Sequence, residues 1–363
     1  MNTTTLYTTS FRGIGPITVR ELREAVGPTA GDIQFYQVRD YDLTRFAFTG
    51  HLDDLLRLGT VEDLFFWISG VPLTGKQEDL NALSSAVRPN LIEPGLAQHR
   101  QVARHGGKRT TFRVVVQAED ARWRSYRRDR MQRAVEQGIA RQYRRWKRVP
   151  DHADLEFWVQ QAGKRAVIGL RLTDRTMRHR TYKTANIPGS LRPTIARTLA
   201  YLSGIDPGDT FLDPMCGAGT ILIERALAGR YQLLLGGDVR DEAVQCTLEN
   251  FGARHKPREI RRWDAASLPL DKASVDKVAT NLPWGRQIGS PAENRTLYAG
   301  AMREIARVLK PGGRAVFLTS EWDLLKETRK AVPGLALAEQ HKDIAVLGRR
   351  ADIFVLTKAG GRA

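Results

Sequence analysis

Four consecutive residues, Asn281, Leu282, Pro283 and Trp284, combine two hydrogen-bond acceptors, a rigid turn and an aromatic plate. They follow "VDKVA", which reads as a buried strand, so they sit where a strand of an open sheet ends, the edge at which α/β proteins bind ligands. An exocyclic amine on a nucleobase is a poor nucleophile because its lone pair is delocalised into the ring. The Asn281 side-chain oxygen and the Leu282 carbonyl can each accept one N–H and draw that nitrogen toward tetrahedral geometry, with Pro283 fixing the turn and Trp284 stacking on the base. The plain alternative is a strand-ending turn with Trp284 in the core.

Three acidic residues stand at earlier strand ends. In "FLDPMCGAGTILIE", Gly217 and Gly219 permit a sharp turn and close approach of a ligand, and the helix from Thr220 offers free N–H groups. A dinucleotide fingerprint has a third glycine where this chain has Leu222, and Asp213 at the strand tip would repel a pyrophosphate while suiting a cationic amino group. Asp238 in "LLLGGDV" lies nineteen residues after Gly219, the spacing of an acidic residue that accepts from ribose hydroxyls; it also suits a helix N-cap. Asp264 in "RRWDAASLPL" is an acceptor for an adenine amino group or the cap of a turn. The three together describe a site for adenosine attached to something positively charged.

A second functional feature is charge. The chain of 363 residues has a formal net charge of +17, and residues 101–150 alone hold 15 Lys/Arg against 4 Asp/Glu. A field of that sign attracts a polyanion, RNA or DNA being the usual one; a solubility surface or an anionic membrane contact is the alternative. Within "RSYRRDRMQRAVEQGIARQYRRWKR", Met131, Val135, Ile139, Tyr143 and Trp146 recur at helical spacing and are expected in the core. Arg122, Arg124, Arg127, Arg128, Arg144, Arg145 and Arg148 are then left to face solvent or RNA phosphates, contacts that position RNA without reading its sequence. Arg286, just past the "NLPW" turn, suits a phosphate, a guanine O6 or a plain surface role.

These residues need scaffolds. The length suggests more than one domain, and 42% apolar residues suffice to pack them. Residues 5–70 alternate the strand-like "IQFYQV" and "RFAFTG" with "PITVRELREAV" and "LDDLLRLGTVEDLFFWI", both expected as helices. A second unit runs from "GVPLTGKQ" to about Leu172, with the strand "TFRVVVQA", the long basic helix and a hairpin turning at "QAGKR". From Thr210, strands and helices alternate until two closing strands, "LALAEQHKDIAVLG" and "RADIFVLTKA", whose tight join predicts an antiparallel pair. The expectation is a doubly wound sheet of about seven strands with an antiparallel edge. No apolar run approaches the ~20 residues that span a bilayer, and MNTTTLYTTS lacks the regions of a signal peptide. Two cysteines, Cys216 and Cys246, exclude a disulfide framework or a multi-cysteine zinc site. A soluble, cytoplasmic monomer with no membrane partner and no metal is expected.

"DPMCGAGTILIE", "GGDV", "NLPWG" and "RVLKPGG" resemble the class I S-adenosylmethionine methyltransferases of the amino-methylating type, whose motif is Asn-Pro-Pro-aromatic; Leu282 replaces the first proline and leaves the backbone carbonyl in place. "PDHADLEFWVQQAGKRAVIGLRLT" with "RTYKTANIPGSLRPTIARTLAYLSG" is similar to the end of a THUMP domain and its joint to the catalytic domain. The resemblance is specific from about Arg113 to Ser320 and loose in the first hundred residues. It implies an N-terminal ferredoxin-like α/β domain over 1–74, a THUMP RNA-binding domain over 75–172, a linker over 173–192 and a Rossmann-like class I methyltransferase domain over 193–363. It also implies S-adenosyl-L-methionine held by Asp213, Pro214, Cys216, Gly217, Gly219, Thr220, Asp238, Val239, Asp264, Ala265 and Asn281.

Chains that combine these two modules are tRNA or ribosomal RNA guanine-N2 methyltransferases, and the Asn-Leu-Pro-aromatic-Gly variant looks most like the tRNA enzymes of the acceptor stem. The implied reaction forms N2-methylguanosine at guanosine 6, with tRNA bound through its acceptor stem and 3' end and the guanine flipped from its stack. Another tRNA position or ribosomal RNA, and then DNA adenine or a protein glutamine, are the alternatives, as is an RNA-binding protein with a relic catalytic fold. No strong general base is evident or required, because a methylated amine loses its proton easily.

Overall fold

The computed structural model describes residues 3–102, 110–118, 122–285, 291–346 and 348–360. They form two compact units, Met1–Met177 and Arg178–Ala363. Among the described residues, no helix is long and apolar enough to cross a membrane.

The first unit runs β1 (Thr4–Phe11), α1 (Gly15–Val26), β2 (Ala30–Gln37), β3 (Tyr41–Phe48), α2 (Leu52–Leu55), β4 (Asp63–Pro72), α3 (Glu78–Ser85), α4 (Pro89–Val102), β5 (Thr111–Gln117), α5 (Arg128–Gln142), β6 (Lys147–Arg148), β7 (Leu155–Ala162) and β8 (Arg165–Arg171). One sheet of eight strands, in the order β2-β3-β1-β4-β8-β7-β5-β6, takes strands from both the first 74 residues and the stretch that follows. The two halves join where β4 pairs antiparallel with β8.

The stretch "LDDLLRLGTVEDLFFWI" departs from the helix expected for it. Only Leu52–Leu55 is helical, and Asp63–Pro72 is a strand at the middle of the sheet. The Glu21 carboxylate takes the Gly59 N–H at 2.9 Å, the Thr60 N–H at 3.0 Å and the Thr60 hydroxyl at 2.6 Å, so the backbone is diverted before another helical turn can form. Beyond that point Leu64, Phe66 and Ile68 pack into one apolar cluster and Phe65 into another, with Phe65 stacked on Tyr7 at 4.7 Å. A central strand apolar on both faces reads as a continuous run, which periodicity alone does not separate from a buried helix.

Helix α5 follows its pattern. Met131, Ala134, Val135 and Ile139 are buried in the larger cluster, and Met131, Val135 and Ile139 each contribute about 1.5–3 kcal/mol as fully buried large side chains. The helix ends at Gln142, and Tyr143 stacks on Trp146 at 3.9 Å with both rings against the same core.

The second unit comprises α6 (Pro193–Leu202), β9 (Thr210–Asp213), α7 (Thr220–Ala228), β10 (Leu233–Asp238), α8 (Asp241–Phe251), β11 (Arg258–Arg262), β12 (Val275–Asn281), α9 (Pro291–Val308), β13 (Leu309–Thr319), α10 (Trp322–Lys330), β14 (Leu335–Val346) and β15 (Arg349–Lys358). Its seven strands lie in the order β11-β10-β9-β12-β13-β15-β14. The first five are parallel, and β15 pairs antiparallel with both β13 and β14. The strand order reverses between β9 and β12, so their carboxyl ends open the crevice that such sheets use for ligands.

Candidate active site

A cavity of about 650 Å³ lies at those carboxyl ends. Its floor is the turn from β9 to α7, where Gly217 and Gly219 take φ of +55° and +73°. A Cβ on Gly219 would stand 2.7 Å from the Thr247 methyl carbon, whereas one on Gly217 would point to the cavity with Ile187 no closer than 3.8 Å. Gly219 therefore serves the packing of α7 on α8, and Gly217 leaves room for a ligand. The Gly217 N–H donates to Asp238 Oδ2 at 3.2 Å, tying the turn to the end of β10.

Asp213 is 1% exposed, and its Oδ1 accepts from the Met215 N–H at 3.2 Å. Burial pushes its carboxyl up to about 7, partly opposed by the Thr280 hydroxyl and the Met215 N–H, with the charge of Asp238 adding to the rise. Asp238 does not cap α8 through its side chain; its Oδ1 accepts from the Arg240 backbone at 3.1 Å and the Arg240 guanidinium at 3.3 Å. Asp264 is exposed and accepts from the Ala266 N–H at 2.8 Å, so it caps a turn and lines the cavity at once. Val239, 59% exposed, adds an apolar surface to the same wall.

The far wall is residues 187–191, a stretch that the sequence places in the connector. Asn250, 1% exposed on α8, fastens the chain just before it. Its Oδ1 accepts from the Thr184 and Ala185 N–H groups at 2.9 Å each, and its Nδ2 donates to the Ala185 carbonyl at 3.0 Å and the Ala218 carbonyl at 2.9 Å. One amide thus links the connector to the glycine turn. Lys183 donates to the Leu191 carbonyl, closing the segment on itself.

The "NLPW" turn is held from α9. Asn294 Nδ2 donates to the Pro283 carbonyl at 3.0 Å and the Tyr298 hydroxyl reaches the same oxygen at 2.9 Å, with Thr319 Oγ1 2.7 Å from that hydroxyl. Burial pushes the Tyr298 phenol well above its ordinary value, so it remains a neutral donor. Leu282 is 2% exposed, and its N–H donates to the Leu318 carbonyl at 3.0 Å. Among the described residues, the Asn281 Oδ1 and Trp284 Nε1 atoms are buried without any hydrogen-bond partner. Such atoms are costly unless a ligand completes them.

The structure gathers Asp213, Pro214, Cys216, Gly217, Thr220, Asp238, Val239, Asp264, Ala265 and the whole Asn281–Trp284 turn around one cavity, and leaves Gly219 behind it. Arg286 lies outside the described residues. In the first unit, Arg122, Arg127, Arg128, Arg144, Arg145 and Arg148 are exposed, and Arg148 pairs with Glu136 at 2.7 Å. Arg124 is a correction: it is 8% exposed, its guanidinium 3.2 Å from Met131 Sδ and 5.5 Å from the Tyr126 ring. The aromatic neighbours at positions 123 and 126 fold back over it and shield it from solvent. Asn250, Asn294 and Tyr298 escape the sequence reading. The last two form an i, i+4 polar pair on the buried face of α9, a signal that was available but has no meaning until the turn opposite is located.

Residues 180–334, within the second unit, match the family model described as UPF0020: RMKL-like, methyltransferase domain. The mouse protein named tRNA (guanine(6)-N(2))-methyltransferase THUMP3 is 32% identical over 198 residues, 51% of this chain and 39% of that protein. The Thermus thermophilus tRNA (guanine(6)-N2)-methyltransferase is 34% identical over 181 residues, 49% of this chain and 53% of that protein. The chain thus spans about half or less of these curated relatives. The crystal structure of TrmN from Thermus thermophilus superposes with a TM-score of 0.76 at 25% identity, covering 98% of this chain and 100% of that one. The fold is the Rossmann-like class I methyltransferase fold.

Proposed function

We propose that this chain, whose residues 180–334 match the RMKL-like methyltransferase domain, transfers a methyl group from S-adenosylmethionine to N2 of a guanosine in tRNA, with guanosine 6 of the acceptor stem as the target. The observation that carries the reading is the Asn281 oxygen, buried without a partner among the described residues, in the wall of a cavity that Asp213, Asp238 and Asp264 also line. The donor set fits the methyl donor. Asp238 suits the ribose hydroxyls, Asp264 the adenine amine, Val239 the adenine face and Asp213 the ammonium group, while Gly217 leaves the space a Cβ would take. When bound, S-adenosylmethionine supplies an electrophilic methyl group on a sulfonium.

The chain's own residues do the rest. Asn281 Oδ1 and the Leu282 carbonyl accept the two N2 hydrogens and direct the nitrogen lone pair out of the ring plane, and Trp284 stacks on the guanine. The amine held there would take the methyl group, the donor's sulfonium becoming a neutral thioether, and its excess proton would pass to water. Because Pro283 is pinned from α9, these acceptors are in place before substrate arrives, which is where the rate advantage arises. The guanosine is presented flipped from its stack. RNA is held by the first unit, a ferredoxin-like segment over 1–74 and a THUMP region over 75–172, with 173–192 leading to the catalytic domain; the setting is the cytoplasm. The names of the relatives support tRNA and position 6.

The test is mass spectrometry of nucleosides from unmodified tRNA incubated with the protein and S-adenosylmethionine. N2-methylguanosine that disappears when guanosine 6 is replaced by adenosine is the expected result. Product from ribosomal RNA alone, or from another tRNA position, would keep the chemistry and overturn the target.

A further inference from the structure

Beside the catalytic cavity the second unit has another hollow, of about 290 Å³, that the methyl-transfer chemistry does not use. Trp322, Lys326, Lys342 and Arg350 line it together with Asp343 and Asp352. Trp322 begins α10, immediately past the carboxyl end of β13, and Asp352 pairs with Thr319 at that same end. The β14–β15 hairpin serves both sites, since its Val346 and Arg349 line the catalytic cavity. The two openings therefore share one edge of the sheet.

The charges in the hollow do not cancel. Asp352 accepts from Gln340 at 2.7 Å and from the Asp343 N–H at 3.1 Å, and Asp343 pairs with Arg350 at 3.3 Å, so both carboxylates are committed locally. Lys326, one helical turn after Trp322, and Lys342 on β14 have no ion-pair partner among the described residues. Trp322 is 39% exposed, a large apolar plate left open beside two unpaired ammonium groups. A lysine pair beside an open indole is the arrangement that holds a nucleotide of a single strand, the cations on its phosphates and the ring on its base.

We propose that this hollow binds the RNA strand next to the methylated guanosine, a neighbouring base stacking on Trp322 and the flanking phosphates meeting Lys326 and Lys342. The inference rests on the reading of the substrate as RNA. A flipped nucleoside pulls its neighbours out of register, and a platform at the same sheet edge holds the distorted strand while the amine is engaged.

Binding of an unmodified tRNA transcript to the full chain, titrated at several salt concentrations without methyl donor, tests this independently of catalysis. Lys326→Gln/Lys342→Gln should flatten the salt dependence by roughly two units, one for each phosphate. Trp322→Ala should weaken binding about tenfold and Trp322→Phe should restore most of it, with S-adenosylmethionine affinity and thermal midpoint unchanged. Wild-type affinity and slope in both the lysine double variant and Trp322→Ala would overturn the proposal and leave the hollow as solvated surface or a contact for another protein. Wild-type protein that binds tRNA but forms no N2-methylguanosine would overturn the catalytic reading instead, and the binding arms would still decide the hollow.

Discussion

The two units use polar groups in opposite ways. In the second, acceptors are few, buried and held: Asn281 Oδ1 has no partner among the described residues, and the turn that carries it is fastened through Pro283 by Asn294 and Tyr298. In the first, the arginines around α5 are many and exposed, over an apolar face that supplies only stability. Chemistry on one atom demands preorganisation, whereas attraction of a polyanion is shared among charges, each replaceable by its neighbours. Loss should accordingly be concentrated in the second unit and diluted in the first.

The largest effect is expected at Asn281. Asn281→Ala removes the acceptor proposed to hold the amine in the transition state and should lower kcat by about 100- to 1000-fold with cofactor affinity nearly intact, as single-turnover rates and calorimetry would show. A variant retaining a tenth of the rate would break the contrast between the units. Asp238→Ala should weaken S-adenosylmethionine binding by roughly 10- to 100-fold, the range for hydrogen bonds to a charged group, while circular dichroism reports an unchanged fold. Unchanged affinity by calorimetry would return Asp238 to a purely structural role.

Asp213 links the site to pH. Its carboxyl, raised to about 7 by burial, holds a proton in the folded chain that the unfolded chain has already released between about pH 4 and pH 7. Stability therefore falls as pH rises through that window, by at most about 1.4 kcal/mol per unit for one group. Asp213→Asn should flatten the decline in denaturant midpoints. In the same window the affinity for a cationic ligand should rise with pH in the wild type and not in the variant.

Smaller changes sharpen the comparison. Tyr298→Phe keeps the ring but frees the Pro283 carbonyl of one donor, and should cost about 1 kcal/mol, or fivefold, in kcat with little change in stability. A loss of stability without loss of rate would mean that Tyr298 merely packs. In the first unit, Arg127→Gln/Arg128→Gln should weaken tRNA binding modestly and flatten its salt slope by about one to two units. Arg124→Gln should instead lower the thermal midpoint, because that guanidinium lies buried against Met131 and Tyr126.

The elements of the second unit were legible because each is announced locally: apolar runs of strand length, helices of mixed period, glycines at the turn, an acid or an amide at the strand tip. The tight join of the last two strands identified their antiparallel pairing for the same reason. Local pattern is ambiguous at two places. "LFFWI" is apolar on every side, and only its placement between β1 and β8 makes it a strand. Arg124 sits in a row of arginines with nothing in its own position to mark it, and two aromatic neighbours decide its burial.

By itself, then, the sequence determined which groups stand at the strand ends, Asp213, Asp238, Asp264 and the Asn281–Trp284 turn, since strand period and turn residues are properties of a few adjacent positions. Tertiary structure alone decided what holds them. Asn250 reaches back 66 residues to Thr184 and 32 to Ala218, and Tyr298 crosses 15 to Pro283 and 21 to Thr319. No window of sequence contains such pairs: they arise because helices packed on a twisted sheet bring distant side chains to one edge, and there a buried amide or phenol must find a partner.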